Sequence, residues 1–295
     1  MVRLLIFYLT PWEFSPTVAV CCLTAALLYA RGMRQTAHAG EAVGLGRVLS
    51  FFSGLALIYL SLQSYFDFLS QHMFWVHRLQ QLFLHHVGPF LIILSAPGPV
   101  MAQGIPARWR ARWIEPVGRW RPLRAAYRFV QQPFVAAVLF VGLLYFWLIP
   151  AIHFTAMLDV DRYRAMNWGM VIDGLLFWQA MLTVQGVGRQ RESAYLLRFL
   201  MLFLVMIGQL LLGAYIFFHG TLLYTVYALC GRAWPINPMT DQQLGGLLTW
   251  IPPDMMSVIG SLVILRKLTR NQAVTSGVAR DLRAEGPWAL GEIDG

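Results

Sequence analysis

The chain has 295 residues, of which 58% are hydrophobic and only 13% charged, with a mean hydropathy of +0.56. A soluble domain carries about 25% charged residues, so the composition excludes an ordinary soluble protein. Apolar blocks of spanning length exclude a barrel in favour of membrane helices. The formal charge of +9 would suggest nucleic acid in a soluble chain, but here its distribution follows a membrane topology.

The apolar blocks predict an all-α bundle of seven transmembrane helices, at roughly 14–30, 47–63, 72–96, 132–152, 166–187, 199–219 and 245–265. They form one membrane domain over 1–270, with a polar tail over 271–295 expected to be disordered and cytoplasmic. Of the 23 Lys and Arg, 18 fall on one side of these spans and 5 on the other. By the positive-inside rule the N-terminus is then outside and the tail cytoplasmic.

The first block follows Pro11, Trp12, Glu13 and Pro16 and lacks a small-x-small cleavage site, so it reads as a retained span. Cys21 and Cys22 within it and Cys230 far along the chain make no CxxC, which signals neither a redox site nor a sulfur cage. His38 falls in the first inner loop, apart from the other histidines. Asp67 precedes the third block, where it either caps the next helix or orients a ligating imidazole. Capping is favoured.

The stretch Ser64 to Met101 holds four of the seven histidines, His72, His77, His85 and His86. At about 100° per residue, Met73, His77, Gln81 and His85 form one stripe of thioether, imidazole and amide, with His86 on the far side. Ionisable residues inside spans are costly and usually functional. Gly88-Pro89 is expected to kink this helix and free a carbonyl, and Ala96-Pro97-Gly98-Pro99 to end it. The loop 107–128 interleaves seven arginines with Trp109, Trp113 and Trp120, a pattern suited to lying along an anionic leaflet.

His153 closes the fourth block and His219 the sixth. Asp173 and Asp254 lie within the fifth and seventh, where each serves helix packing, a counter-ion role or a proton path. His72, Met73, His77, His85, His86, His153 and His219 thereby gather toward the outer half of the bundle from three spans. Imidazole with thioether suits copper, especially Cu(I). Met73 and His77 would be entry ligands and His85 or His86 deeper ones. Haem is the rival cofactor, because His72 and His86 are 14 residues apart and nearly in line. A proton- or copper-coupled transporter would lean on Asp173 and Asp254, and a metal-free holdase would need none of these groups. No HExxH, nucleophile elbow or phosphate loop supports hydrolysis.

The segment from Asp67 to Pro97, with His77, Gly88-Pro89-Phe90-Leu91 and Ser95-Ala96-Pro97, resembles the multi-span CtaG-type cytochrome c oxidase assembly factors. So does Asp241-Gln242-Gln243-Leu244-Gly245-Gly246 with Trp250 and Pro252. The resemblance covers roughly 47–265. It implies a multi-pass protein of the bacterial inner membrane that matures a haem-copper oxidase through its copper supply. Its partners would be an oxidase subunit and a periplasmic copper donor, and it would act as an assembly factor rather than an enzyme. The family pattern has a His-Met-x-x-His core. Here Arg78 stands at its methionine and Gln81 at its second histidine.

Overall fold

The structure, a computed structural model, describes residues 14–183 and 189–284. The described residues fold as helices and connecting turns. In order they are α1 (Pro16–His38), α2 (Leu45–Gln63), α3 (Tyr65–His72), α4 (Phe74–Gln81), a π-helical turn (Leu82–Val87), α5 (Gly88–Leu94) and α6 (Pro97–Gly104). Short helical turns over 107–119 lead to α7 (Arg121–Val130), α8 (Pro133–Leu148), α9 (Pro150–Leu158), α10 (Val160–Leu182), α11 (Arg189–Phe218) and α12 (Pro238–Ala284). Arg3 and Pro11-Trp12-Glu13 lie outside the described residues, as does the end of the tail beyond Ala284.

Four helical stretches are long and apolar enough to cross a membrane alone: Pro16–His38, Leu45–Gln63, Glu192–Phe218 and Pro238–Arg270. The count rises to six if two bent pairs each make one span, Phe74–Leu94 with Pro97–Gly104 and Arg121–Val130 with Pro133–Leu148. The sequence expects seven. The remaining helix, α10, has the length at 23 residues but carries Asp161, Arg162, Arg164, Asn167 and Asp173. Of these, Asn167 and Asp173 turn into the bundle, while Asp161, Arg162 and Arg164 are exposed.

The third predicted span begins two residues late because the chain breaks at Met73, whose φ of −138° and ψ of 124° are extended. Ser64 caps α3 by accepting from the Phe66 N–H. The exposed start of α4 is capped from far along the chain: Asp241 of α12 accepts from the N–H groups of Phe74 and Trp75 at 3.2 and 2.9 Å. That corrects the expectation that Asp67 caps this helix. Asp67 lies in the first turn of α3 and faces the bundle. Gly245, one turn beyond Asp241, lets the Phe74 ring occupy the space of a side chain, and Gly213 and Gly246 bring α11 and α12 into backbone contact.

The expected kink takes the form of the π turn. The Gly88 N–H bonds the Phe83 carbonyl five residues back. Pro89 has no N–H to offer the His85 carbonyl four residues before it. Neighbouring helices close on this disturbed backbone through glycines: a Cβ on Gly174 of α10 would collide with the His85 carbonyl, and one on Gly54 of α2 would stand 2.7 Å from the Gly88 carbonyl. Beyond α5 the chain turns at Ala96 in the left-handed region, φ 49°. Arg47 fastens that bend by donating to the Ser95 and Ala96 carbonyls at 2.7 and 2.9 Å. Gly174→Ala is expected to lower stability in detergent by about 1–3 kcal/mol through overpacking, measured by thermal unfolding. Gly142→Ala, which meets open space, is expected to leave it unchanged.

Candidate functional site

α4, the π turn, α10 and α11 turn polar side chains toward one another in three levels. At the first level Asp67 accepts from Tyr163 Oη at 2.7 Å, from Gln80 at 2.6 Å and from Gln71 at 3.1 Å. Ser70 lies 2.8 Å from the same tyrosine hydroxyl. A cavity of about 420 Å³ reaches this level between α1, α3 and α10, bordered by Asp67, Tyr163 and Asn167.

The second level pairs His77 with His153, ring centroids 5.1 Å apart. His153 Nδ1 donates to the Trp147 carbonyl at 3.1 Å, which fixes its tautomer, and Nε2 then accepts from Tyr227 Oη at 2.9 Å. Both ring nitrogens are occupied, so His153 is a satisfied core residue. His77 is buried with Nδ1 unpartnered. Beside it the Arg78 guanidinium, 4% exposed, donates to Thr249 Oγ1 at 2.8 Å. No acid among the described residues pairs with it. A fixed cation in so dry a place repels a second one strongly, so this level disfavours a metal ion.

At the third level Gln81 donates to Asn167 at 2.9 Å. His85 and His86 follow on the π turn, buried at 0 and 3% exposure, with rings 4.9 Å apart and nearly perpendicular. Here the sequence reading is corrected. His86 does not lie on the far side of the helix: the wider π turn spreads consecutive residues less around the axis, and both imidazoles enter the interior. Each is held by Nε2. His85 meets Asp173 Oδ2 at 3.0 Å and stacks on Phe140 at 3.9 Å, while His86 meets the Gln209 side-chain amide at 2.7 Å. Both Nδ1 atoms are buried without a partner.

The other expected site residues lie elsewhere. Met73 sits in an apolar cluster with Leu69 and Val76, backed by Ile236. His72, on α3 before the break, bonds the Phe68 carbonyl and packs on its ring. It no longer shares a helix with His86, which removes the in-line pair a two-haem arrangement needs. His219 is half-exposed against Tyr215 at the end of α11. Asp254 bonds Trp250 of its own helix. Among the described residues no three His, Cys, Asp or Glu side chains are grouped to hold a metal ion.

Sequence reasoning passed over Gln209, Tyr163 and Asn167, and met Asp241 only as part of the family resemblance, not as a cap. A signal existed for Gln209, a lone amide in a strongly apolar span, and for Tyr163 and Asn167, one turn apart on α10. Compared with known families, residues 27–271 match the model of the cytochrome c oxidase caa3 assembly factor. The chain belongs to that family. Among its curated relatives are uncharacterized proteins of Mycobacterium bovis and Mycobacterium tuberculosis, each 24% identical over 97% of the chain and 43% of the relative. The chain thus spans less than half the length of the curated relatives it matches. No solved structure matches it. His153→Leu strands the Tyr227 hydroxyl and the Trp147 carbonyl. It is expected to cost about 1–3 kcal/mol of stability in thermal unfolding.

Proposed function

We propose that the protein assists maturation of a haem-copper oxidase in the bacterial inner membrane by holding copper between the imidazoles of His85 and His86. Family membership supports oxidase assembly. One observation carries the copper reading: two adjacent buried imidazoles, each anchored through Nε2 to a polar partner and each with Nδ1 unpartnered. A ligating histidine characteristically hands its other ring nitrogen to a carboxylate or amide that fixes the ring and its tautomer. Asp173 and Gln209 fill that place. An amide's two ends are assigned rather than seen. In the structure Gln209 Nε2 faces His86 Nε2; with the amide turned over, its oxygen would accept the Nε2 proton and leave a lone pair on Nδ1.

Imidazole ligands suit copper, and a soft monovalent ion needs fewer donors than the cages that divalent ions form. Asp173 also offsets the ion's charge inside the membrane. In this reading the protein crosses seven times with the N-terminus outside, as the 18 to 5 distribution of basic residues supports. Copper in this reading arrives from a periplasmic donor and leaves to an oxidase subunit. No electron or group transfer by the protein itself is required, so it acts as an assembly factor rather than an enzyme.

The purified protein loaded anaerobically with Cu(I) is expected to retain one ion per chain, against a competing chelator, in a form lost in the His85→Gln, His86→Gln variant. Asp173→Asn and Gln209→Leu are expected to weaken retention by about 10–100-fold. Normal retention in the double variant would remove this site. Oxidase activity in membranes should fall in parallel. Loss of activity with unchanged copper retention would favour a metal-free holdase.

A further inference from the structure

A second pocket, of about 380 Å³, opens at the opposite end of α10, where α7 meets α8. Arg128, Gln131, Gln179, Thr183 and Arg198 supply its polar lining, and no acid is among the described residues that line it. Arg198 is 9% exposed and fixed by three carbonyls: Nε donates to Ala180, and its terminal nitrogens donate to Ala194 and Thr183. Two of its five N–H donors remain. These bonds cap the end of α10 and leave the charge without an acidic partner. Arg128 comes from α7, where Arg121, Arg124 and Arg128 fall on one face at i, i+3 and i+7 while Leu123, Tyr127 and Val130 fall on the other. The axis of α7 bends by 74° from α8, which lays it across the end of the bundle rather than through it.

The pocket does not end at the arginines. Along the same pair of helices, α8 and α11, an apolar groove of about 340 Å³ continues past Phe134, Val138 and Gly142 on one wall and Met201 and Leu204 on the other. Its outer wall is exposed, Phe134 by 62% and Val138 by 53%. From Phe134 to Tyr145 the groove follows about 16 Å of helix rise, and it closes where Tyr145 Oη donates to the Gly208 carbonyl. The linings adjoin on both helices, Pro133 of the pocket beside Phe134 of the groove on α8 and Arg198 one turn before Met201 on α11. A basic, amide-lined head pocket thus leads onto a long apolar slot, the shape and charge of one kind of molecule.

We infer that the basic pocket of Arg128 and Arg198, with the α8–α11 groove, is a binding site for one anionic phospholipid, its phosphate against the arginines and an acyl chain in the groove. Charge complementarity selects an acidic headgroup over a zwitterionic one, because the pocket offers two guanidinium groups and no carboxylate. Continuity of pocket and groove along one helix pair selects a lipid over a soluble anion. The groove ends at Gly208, next to Gln209, but it uses none of the side chains of the imidazole level and does not rest on the copper reading.

Native mass spectrometry of the full chain, delipidated in detergent and titrated with phosphatidylglycerol or phosphatidylcholine, tests this. The wild-type protein is expected to retain phosphatidylglycerol in preference to phosphatidylcholine. Arg128→Gln is expected to weaken phosphatidylglycerol about fivefold, the weight of one arginine near an anionic headgroup. Gly142→Leu, at a position surrounded by open space, fills the groove without disturbing the fold and is expected to abolish retention. Equal binding of the two lipids overturns the inference. So does unchanged phosphatidylglycerol retention in either variant when thermal unfolding shows the variant folded.

Discussion

A helix in the interior of a membrane protein has to satisfy its backbone within itself, because lipid offers no hydrogen bonds. The segment from Phe74 to Leu94 does not do this in the ordinary way, and much of the structure answers that fact. Pro89 denies the His85 carbonyl its α-helical partner, the backbone widens into a π turn, and Gly174 and Gly54 bring neighbouring backbones close enough to cover it. At the other end, the break at Met73 exposes the first N–H groups of α4, and Asp241 supplies the acceptors from α12. The Asp-Gln-Gln-Leu-Gly-Gly stretch is therefore a structural clasp. Asp241 caps α4, Gln242 donates to the Thr221 carbonyl and accepts from the Leu223 N–H in the preceding loop, and Gly245 admits the Phe74 ring.

From this constraint follows the site. An α-helix carries consecutive side chains about 100° apart around its axis, and the wider π turn narrows that angle. The π turn brings both inward, where Asp173 and Gln209 hold them from two different helices. π turns within α-helices recur at functional sites, and here the chemical consequence is specific: two imidazoles oriented through one nitrogen each, with the other left over. In a dry interior an unpartnered polar atom is costly. A ligand that occupies those atoms removes the cost, and the anchoring of both rings through Nε2 by Asp173 and Gln209 is the basis for proposing copper there.

The helical class, the positions of the apolar blocks and the importance of the Ser64–Met101 stretch were legible in the sequence, because apolar runs and intramembrane histidines are strong local signals. Gly88-Pro89 announced a backbone disturbance, but not whether it would bend the helix or widen it. That choice depended on Gly174 and Gly54, more than thirty residues away in each direction. The stripe of Met73, His77, Gln81 and His85 assumed one regular helix. It failed at Met73, where the chain breaks, and the placing of His86 on the far side failed because the turn is π-helical. His153 looked like a ligand by its position, yet its two bonds to Trp147 and Tyr227 are invisible without the fold. Asp241 and Gln209 were hidden for the same reason: their partners are 167 and 123 residues distant.

The central claim is that copper sits on nitrogen, at His85 and His86, and not on the sulfur of Met73. X-ray absorption at the copper edge, on the Cu(I)-loaded full chain, reads the ligand atoms directly. The account predicts a low-coordinate shell of imidazole nitrogens with the outer-shell scattering of histidine rings, unchanged in Met73→Leu. A copper–sulfur contribution that disappears in Met73→Leu, or a nitrogen shell that survives replacement of both His85 and His86, would contradict it.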